Sequence, residues 1–117
     1  MTPIVDLLFV YGTLRSAFNN EYARLLRTKG QYLGPRTVRG SVYRVHHYPA
    51  FKSEPGGEVR GELYRLLDPV GIFHALDEYE GDDFERILID APERAWIYSY
   101  KKNTVAGSRI ESGDFCG

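Results

Sequence analysis

Asp77, Glu78, Glu80, Asp82, Asp83 and Glu85 form an acidic run in the second half of the chain, and one of them is out of place. Asp68 suits a helix N-cap, Pro69 the first helical position and Gly81 the residue just past the end, so a helix is expected over 69–80. At 3.6 residues per turn, with Phe73 set at zero, Leu76 falls at about 300°, Ile72 at about 260°, Tyr79 at about 240° and Glu80 at about 340°. Glu80 therefore stands within the apolar stripe. Asp77 near about 40° and Glu78 near about 140° are expected to reach solvent as ordinary surface acids. A carboxylate on a core-facing stripe is paired, hydrogen-bonded or functional, because burial disfavours its charged form. The negative end of the helix dipole acts in the same direction, so both effects raise the pKa of Glu80 toward the range in which a carboxyl takes and returns a proton. General acid/base chemistry would follow. The wheel alone leaves a second arrangement open, in which the helix ends a turn early and Glu80 is a solvated cap residue or the partner of an arginine such as Arg86.

The second candidate is the turn Tyr11-Gly12-Thr13-Leu14. A buried strand that ends in glycine lets a ligand approach backbone N–H groups, which are good donors to a carboxylate or an oxyanion. A glycine after a strand is also the mark of a plain turn, and neither GxGxxG nor P-loop spacing accompanies it.

These residues depend on the elements that carry them. The run from Ile4 to Tyr11, interrupted by Asp6, is nearly continuous apolar sequence rich in strand formers and reads as a central strand buried on both faces. A helix is expected from about Asn19 or Asn20 to Lys29, closed by Gly30. From Gln31 to Leu67 the chain reads as strands parted by turn signals at Gly34-Pro35, Tyr48-Pro49 and Pro55-Gly56-Gly57. After the second helix, Ile87–Asp90 and Ala95–Tyr100 read as two strands paired around Ala91-Pro92-Glu93, and the tail from Ser108 to Gly117 as irregular. The class is α+β, with strands numerous enough to curl into a small mixed barrel beside two short helices.

The chain has 117 residues, room for one domain over 1–117, and the balance of 43% hydrophobic and 26% charged residues is that of a globular protein. Its 9 Tyr, 6 Phe and 1 Trp suit pleated surfaces and small-molecule pockets. A net charge of −1 argues against a constitutive nucleic-acid binder. Residues 1–60 hold 9 Lys and Arg against 4 acids, and residues 61–117 hold 6 against 12, which reads as complementary faces of folded elements. The first apolar run is too short for a membrane span or signal peptide, and the lone Cys116 excludes an internal disulfide, so a cytoplasmic protein with no membrane partner is expected. Cys116, the penultimate residue, is discounted as a nucleophile. His46 and His47 are adjacent and would point to opposite faces of a strand, and Gly81 does not fit an EF-hand register, so no metal site is expected. Trp96, Tyr98 and Tyr100 share one strand face, and Tyr98 is kept as a candidate pocket hydroxyl. Arg15 either attracts an anionic substrate or only positions its loop.

Taken together, Val10-Tyr11-Gly12-Thr13-Leu14-Arg15 and Leu76-Asp77-Glu78-Tyr79-Glu80-Gly81 make the chain resemble the gamma-glutamylcyclotransferase-like, or AIG2-like, family, whose Leu-Asp-x-x-Glu-Gly signature the second segment matches. Tyr48-Pro49-Ala50, Val59-Arg60-Gly61-Glu62-Leu63-Tyr64, Phe84-Glu85-Arg86, Ala95-Trp96-Ile97-Tyr98 and Ile110-Glu111-Ser112-Gly113-Asp114-Phe115 follow in the family's order. The resemblance implies a mixed-sheet barrel with a cavity between the Tyr11–Leu14 loop and Glu80. It implies a cofactor-independent, metal-free enzyme that cyclises a γ-glutamyl group to 5-oxoproline and releases the amine. Glu80 would be its general acid/base, with Tyr11, Gly12, Thr13, Leu14 and Tyr98 binding the small γ-glutamyl substrate. Phe84 stands where the family commonly has tyrosine and no long insert roofs the pocket, which leaves γ-glutamyl amino acids, γ-glutamyl-ε-lysine and other γ-glutamyl amines all open as substrates. A monomer and a homodimer are both open, and the alternative in another class is a non-catalytic binding or interaction module that keeps the cavity.

Overall fold

The computed structural model describes residues 5–16, 18–90, 93–105 and 108–115. Two expectations fall outside these residues: the start of the first apolar run at Ile4 and the Ala91-Pro92 connection; Cys116 does so as well. The first strand, β1, spans Leu7–Val10. Leu8, Phe9 and Val10 are all buried, and neighbours lie on both edges, as continuous apolar sequence requires. Helix α1 follows at Glu21–Lys29, with the Asn20 side chain accepting from the Ala23 N–H at 2.8 Å. Gly30 does end this helix, yet its backbone is extended, at φ −133°, and it opens β2 directly (Gly30–Arg39). Glycine is needed there because a Cβ would lie 2.7 Å from the Leu26 carbonyl oxygen.

The remaining elements are β3 (Ser41–Val45), β4 (Tyr48–Lys52), β5 (Glu58–Leu66), α2 (Pro69–Glu80), β6 (Phe84–Ile89) and β7 (Ala95–Tyr100). Two expected turns are corrected. Gly34-Pro35 lies inside β2, where Gly34 at φ +103° accompanies a register shift against β5, and the chain turns instead at Gly40. Tyr48-Pro49 opens β4, a strand-start position that tolerates a missing N–H, and the β3–β4 turn falls on His46-His47, with His46 at φ +54°. The Pro55-Gly56-Gly57 turn is as expected. Strand β6 starts at Phe84 rather than Ile87, because its pairing with β7 begins at Phe84↔Tyr100. Helix α2 has the expected bounds: Asp68 accepts from the Gly71 N–H, Pro69 starts it, and Gly81 leaves it at φ +78°.

The strands form one mixed sheet in the order β2-β5-β1-β7-β4-β3, with β6 on the far edge of β7. The sheet curls into a half-barrel beside the two helices, which realises the expected α+β class. One face is covered by the helices, where Leu8, Val10 and Tyr64 meet Leu26, Ile72 and Leu76. The other is the barrel interior, where Phe9 meets Val42, Phe51, Val59, Leu63 and Ile97. β6 occupies one edge of β7 for its whole length, so β1 and β4 must share the other: β1 pairs at Leu8↔Trp96 and β4 at Phe51↔Ser99, both parallel. Where β1 turns away, β4 takes its place, and the sheet parts there.

The tail crosses the back of this arrangement, away from the parting. Ile110 N–H donates to the Val42 carbonyl at 2.8 Å, and Arg60 N–H to the Gly113 carbonyl at 2.7 Å. No described helix is long and apolar enough to cross a membrane.

Strand β5 passes so close to β1 that a Cβ at Gly61 would run into the Val10 carbonyl oxygen and the Phe9 ring. Gly61→Ala is therefore expected to lower the unfolding free energy by about 1–3 kcal/mol in urea denaturation, through overpacking of backbone against backbone. An unchanged midpoint would mean that β1 and β5 do not approach in this way.

Candidate functional site

The parting of the sheet is fixed by a buried hydroxyl. Tyr11, just past β1, donates to the Tyr98 carbonyl at 2.7 Å and accepts from the Phe51 N–H at 3.1 Å, so one side chain ties together the three strands that separate there. Tyr11 lines the cavity described below, but its hydroxyl is occupied as a strut. Gly12 then lies against β4, where any Cβ would run into the Pro49 ring.

From Gly12 to Ser16 the loop is held from behind. Arg15 N–H donates to the Gly12 carbonyl at 3.0 Å, and the Asn20 amide donates to the Thr13 carbonyl at 2.7 Å. Ser16 donates its N–H and its hydroxyl to the buried Glu62 carboxylate at 2.7 and 3.1 Å. Arg15 pairs with Asp114 at 2.8 Å and approaches Glu62 at 3.8 Å, outside the cavity, which is the positioning role of its two readings. While the carbonyls of Gly12 and Thr13 are engaged, the N–H groups of Gly12, Thr13 and Leu14 have no acceptor among the described residues.

These residues form one wall of a cavity of about 440 Å³. Tyr48 and Pro49 of β4 form another, and the end of α2 with Gly81–Phe84 a third; Tyr98 also lines it. Thr13 Oγ1 and Tyr79 Oη, 2.7 Å apart, join the loop to α2 across the rim. The cavity thus gathers all six of the expected site residues: Tyr11, Gly12, Thr13, Leu14, Glu80 and Tyr98.

Glu80 reaches this cavity from the last turn of α2. Its carboxylate makes no hydrogen bond or ion pair with any described residue. Protein crowds it on most sides while the cavity mouth leaves it partly exposed, and that burial pushes its pKa from 4.5 to about 7. The helix keeps its last turn, and Arg86 pairs elsewhere, so neither form of the alternative reading describes Glu80.

Arg86 pairs with Asp77, Nε to Oδ1 at 2.8 Å and Nη2 to Oδ2 at 3.2 Å, and lies over the Phe73 ring at 4.1 Å. Tyr98 donates its hydroxyl to the same Asp77 Oδ1 at 2.7 Å. Burial alone would raise the Asp77 pKa, but the bonds from Arg86 and Tyr98 outweigh it and hold the carboxyl below its ordinary range. The expectation that Asp77 is an ordinary surface acid is corrected: it is half-exposed yet organises two side chains beside the cavity. Its wheel angle put it next to the apolar stripe, but only the register Arg86↔Tyr98 across β6 and β7 brings both partners to it. Tyr79, Tyr48 and Pro49 were also missed, since nothing local in sequence shows which strand replaces β1 beside β7. Among the described residues no three His, Cys, Asp or Glu side chains are grouped to hold a metal ion.

Comparison with known proteins adds a further line. The family described as "Gamma-glutamyl cyclotransferase, AIG2-like" matches residues 8–117. A Vibrio cholerae protein named "Putative gamma-glutamylcyclotransferase" is 34% identical, covering 94% of this chain and 95% of its own. The solution NMR structure of YtfP from Escherichia coli superposes with a TM-score of 0.67 at 33% identity, over 94% of this chain and 96% of that one. A crystal structure of a Pyrococcus horikoshii protein shares the fold, with a TM-score of 0.76 at 23% identity over 96% of this chain and 90% of the other. By sequence along nearly its whole length and by fold, the chain belongs to the AIG2-like gamma-glutamyl cyclotransferase family.

Proposed function

We propose that this protein cyclises the γ-glutamyl group of a γ-glutamyl amine or amino acid to 5-oxoproline and releases the amine, with Glu80 as the general acid/base. The observation that carries this reading is the unpaired Glu80 carboxylate, with a pKa near 7, facing a cavity whose loop wall offers N–H groups without acceptors. The reaction suits a small domain because the substrate brings its own nucleophile, and the protein need only hold a folded conformer and move protons.

In this scheme Glu80, as carboxylate, takes a proton from the substrate α-ammonium. The freed amine attacks the γ-carbonyl carbon and the ring C–N bond forms. Glu80 returns its proton to the amide nitrogen as the bond to the amine breaks, and the second ring-nitrogen proton leaves through Glu80 to the amine. The products are 5-oxoproline and an ammonium ion. The N–H groups of Gly12, Thr13 and Leu14 would hold the substrate α-carboxylate or the developing γ-oxyanion, fixed in advance by the bonds behind the loop. The Tyr98 hydroxyl, already donating its hydrogen bond to Asp77, can only accept from a ligand, so it suits the α-ammonium side.

Incubation with a panel of γ-glutamyl compounds is expected to yield 5-oxoproline. Glu80→Gln is expected to lower kcat by roughly 10²–10⁴-fold while still melting cooperatively and at no lower temperature than the wild type. Binding without product in the wild type would favour a non-catalytic module, and undiminished turnover in the variant would remove Glu80 from the mechanism.

Because the base form is required, kcat/KM is expected to rise with pH through about 7. Stability moves the opposite way. The folded carboxyl titrates near 7 and the unfolded one near 4.5, so between those values the folded state holds more protons and loses stability as pH rises. Denaturation of Glu80→Gln beside the wild type should show the variant gaining relative stability from pH 4.5 upward and levelling off above about 7. Parallel curves would contradict the raised pKa.

A further inference from the structure

Glu80 and Asp77 sit three residues apart on α2, one turn of the same helix, and a single arginine stands beside that turn. On β6 and β7, Arg86 and Tyr98 are direct cross-strand partners, and both converge on Asp77. Arg86 engages both Asp77 oxygens in a fork and is wedged over the rings of Phe73 and Trp96, at 4.1 and 4.9 Å, which sets the plane of its guanidinium. None of this positive charge is bonded to Glu80.

We infer that Asp77 is a positioning residue for Glu80: by accepting hydrogen bonds from the Arg86 guanidinium and from the Tyr98 hydroxyl, it keeps that cation off Glu80 and leaves the Tyr98 oxygen able only to accept. This rests on the proton-transfer role proposed above. Two of the cavity's walls are then unlike. The loop offers donors only, from Gly12, Thr13 and Leu14, while Glu80 and Tyr98 offer acceptors only, which fixes the orientation of a group that carries an ammonium at one end and oxygens at the other. An arginine on Glu80 would blunt both functions, lowering its basicity and putting a cation where the α-ammonium must go.

The other groups facing Glu80 do not replace Asp77 in this. From its own helix and the following loop come Tyr79, Asp82 and Asp83, and Asp83 holds Lys102 at 3.0 Å. Tyr11, just past β1, and Tyr48 of β4 also line the cavity, and Tyr22 of α1 places its ring 4.4 Å from that of Tyr79. None of these binds Arg86.

The test is a carbon-13 NMR titration of the Glu80 carboxyl, together with the pH dependence of 5-oxoproline formation, in the wild type, Asp77→Asn, Arg86→Met and the double variant. In Asp77→Asn the released arginine is expected to lower the Glu80 midpoint by about 1–3 pH units, and the acidic limb of the rate profile with it. Arg86→Met should leave the midpoint in place, and the double variant should restore it to the wild-type position. A merely structural role for Asp77 would not be rescued by removing a second residue. An unmoved midpoint in Asp77→Asn, a double variant that stays low, or a rise in Arg86→Met alone would overturn the inference. Should Asp77→Asn not fold, Asp77→Ser supplies the released arginine in its place: a lowered Glu80 midpoint supports the inference, and an unmoved one, or a rise in Arg86→Met alone, overturns it. The expected midpoints without product from any γ-glutamyl compound would support the positioning role while removing the enzymatic reading.

Discussion

A carboxylate crowded by protein and left without a cation is an unstable arrangement, and it persists only where its surroundings enforce it. Loss of hydration favours the neutral acid, and an adjacent arginine would cancel that cost by restoring the charge. In this protein the arginine that could do so is engaged by an acid one turn earlier on the same helix. Burial raises the Glu80 pKa to about 7, where a carboxyl is both a usable base and a usable acid. In the proposed reaction, the stability forgone at this residue is what makes it a proton carrier.

The cavity has a topological origin. One edge of β7 is too long for β1 alone, so β1 and β4 divide it, and the chain leaving β1 must turn out of the sheet at the division. Tyr11 binds the three strands at that point, and Gly12 lets the departing loop lie against Pro49. The carbonyls of Gly12 and Thr13 are bonded within the protein, their N–H groups and that of Leu14 have no acceptor among the described residues, and α2 brings Glu80 to the same cavity. Rigid elements thus hold both halves of the site, as preorganised electrostatics requires.

The parts of this legible in sequence were those governed by local rules. The bounds of α2 followed from Asp68, Pro69 and Gly81, and the inward face of Glu80 from the helical period. The double burial of β1 followed from its unbroken apolar residues. What failed depended on partners distant in the chain. Gly34-Pro35 and Tyr48-Pro49 have the composition of turns, yet pairing with β5 and β3 absorbs them into strands, one through a bulge and the other at a strand start. Asp77 looked like a surface acid because its partners lie on β6 and β7, and no spacing along the helix reveals which cross-strand pair will face it. The replacement of β1 by β4, which makes the cavity, was equally hidden.

The central claim is that one concavity presents the γ-glutamyl group to Glu80 with its oxygens on the loop amides. A crystal structure of the Glu80→Gln variant with an uncleaved γ-glutamyl amide bound tests it most directly. The substrate α-nitrogen is expected within hydrogen-bonding distance of the residue 80 side chain, and its carboxylate or γ-carbonyl oxygen on the N–H groups of Gly12, Thr13 or Leu14. A substrate seated elsewhere on the protein, or bound here with its α-nitrogen turned toward those amides and away from residue 80, would contradict it.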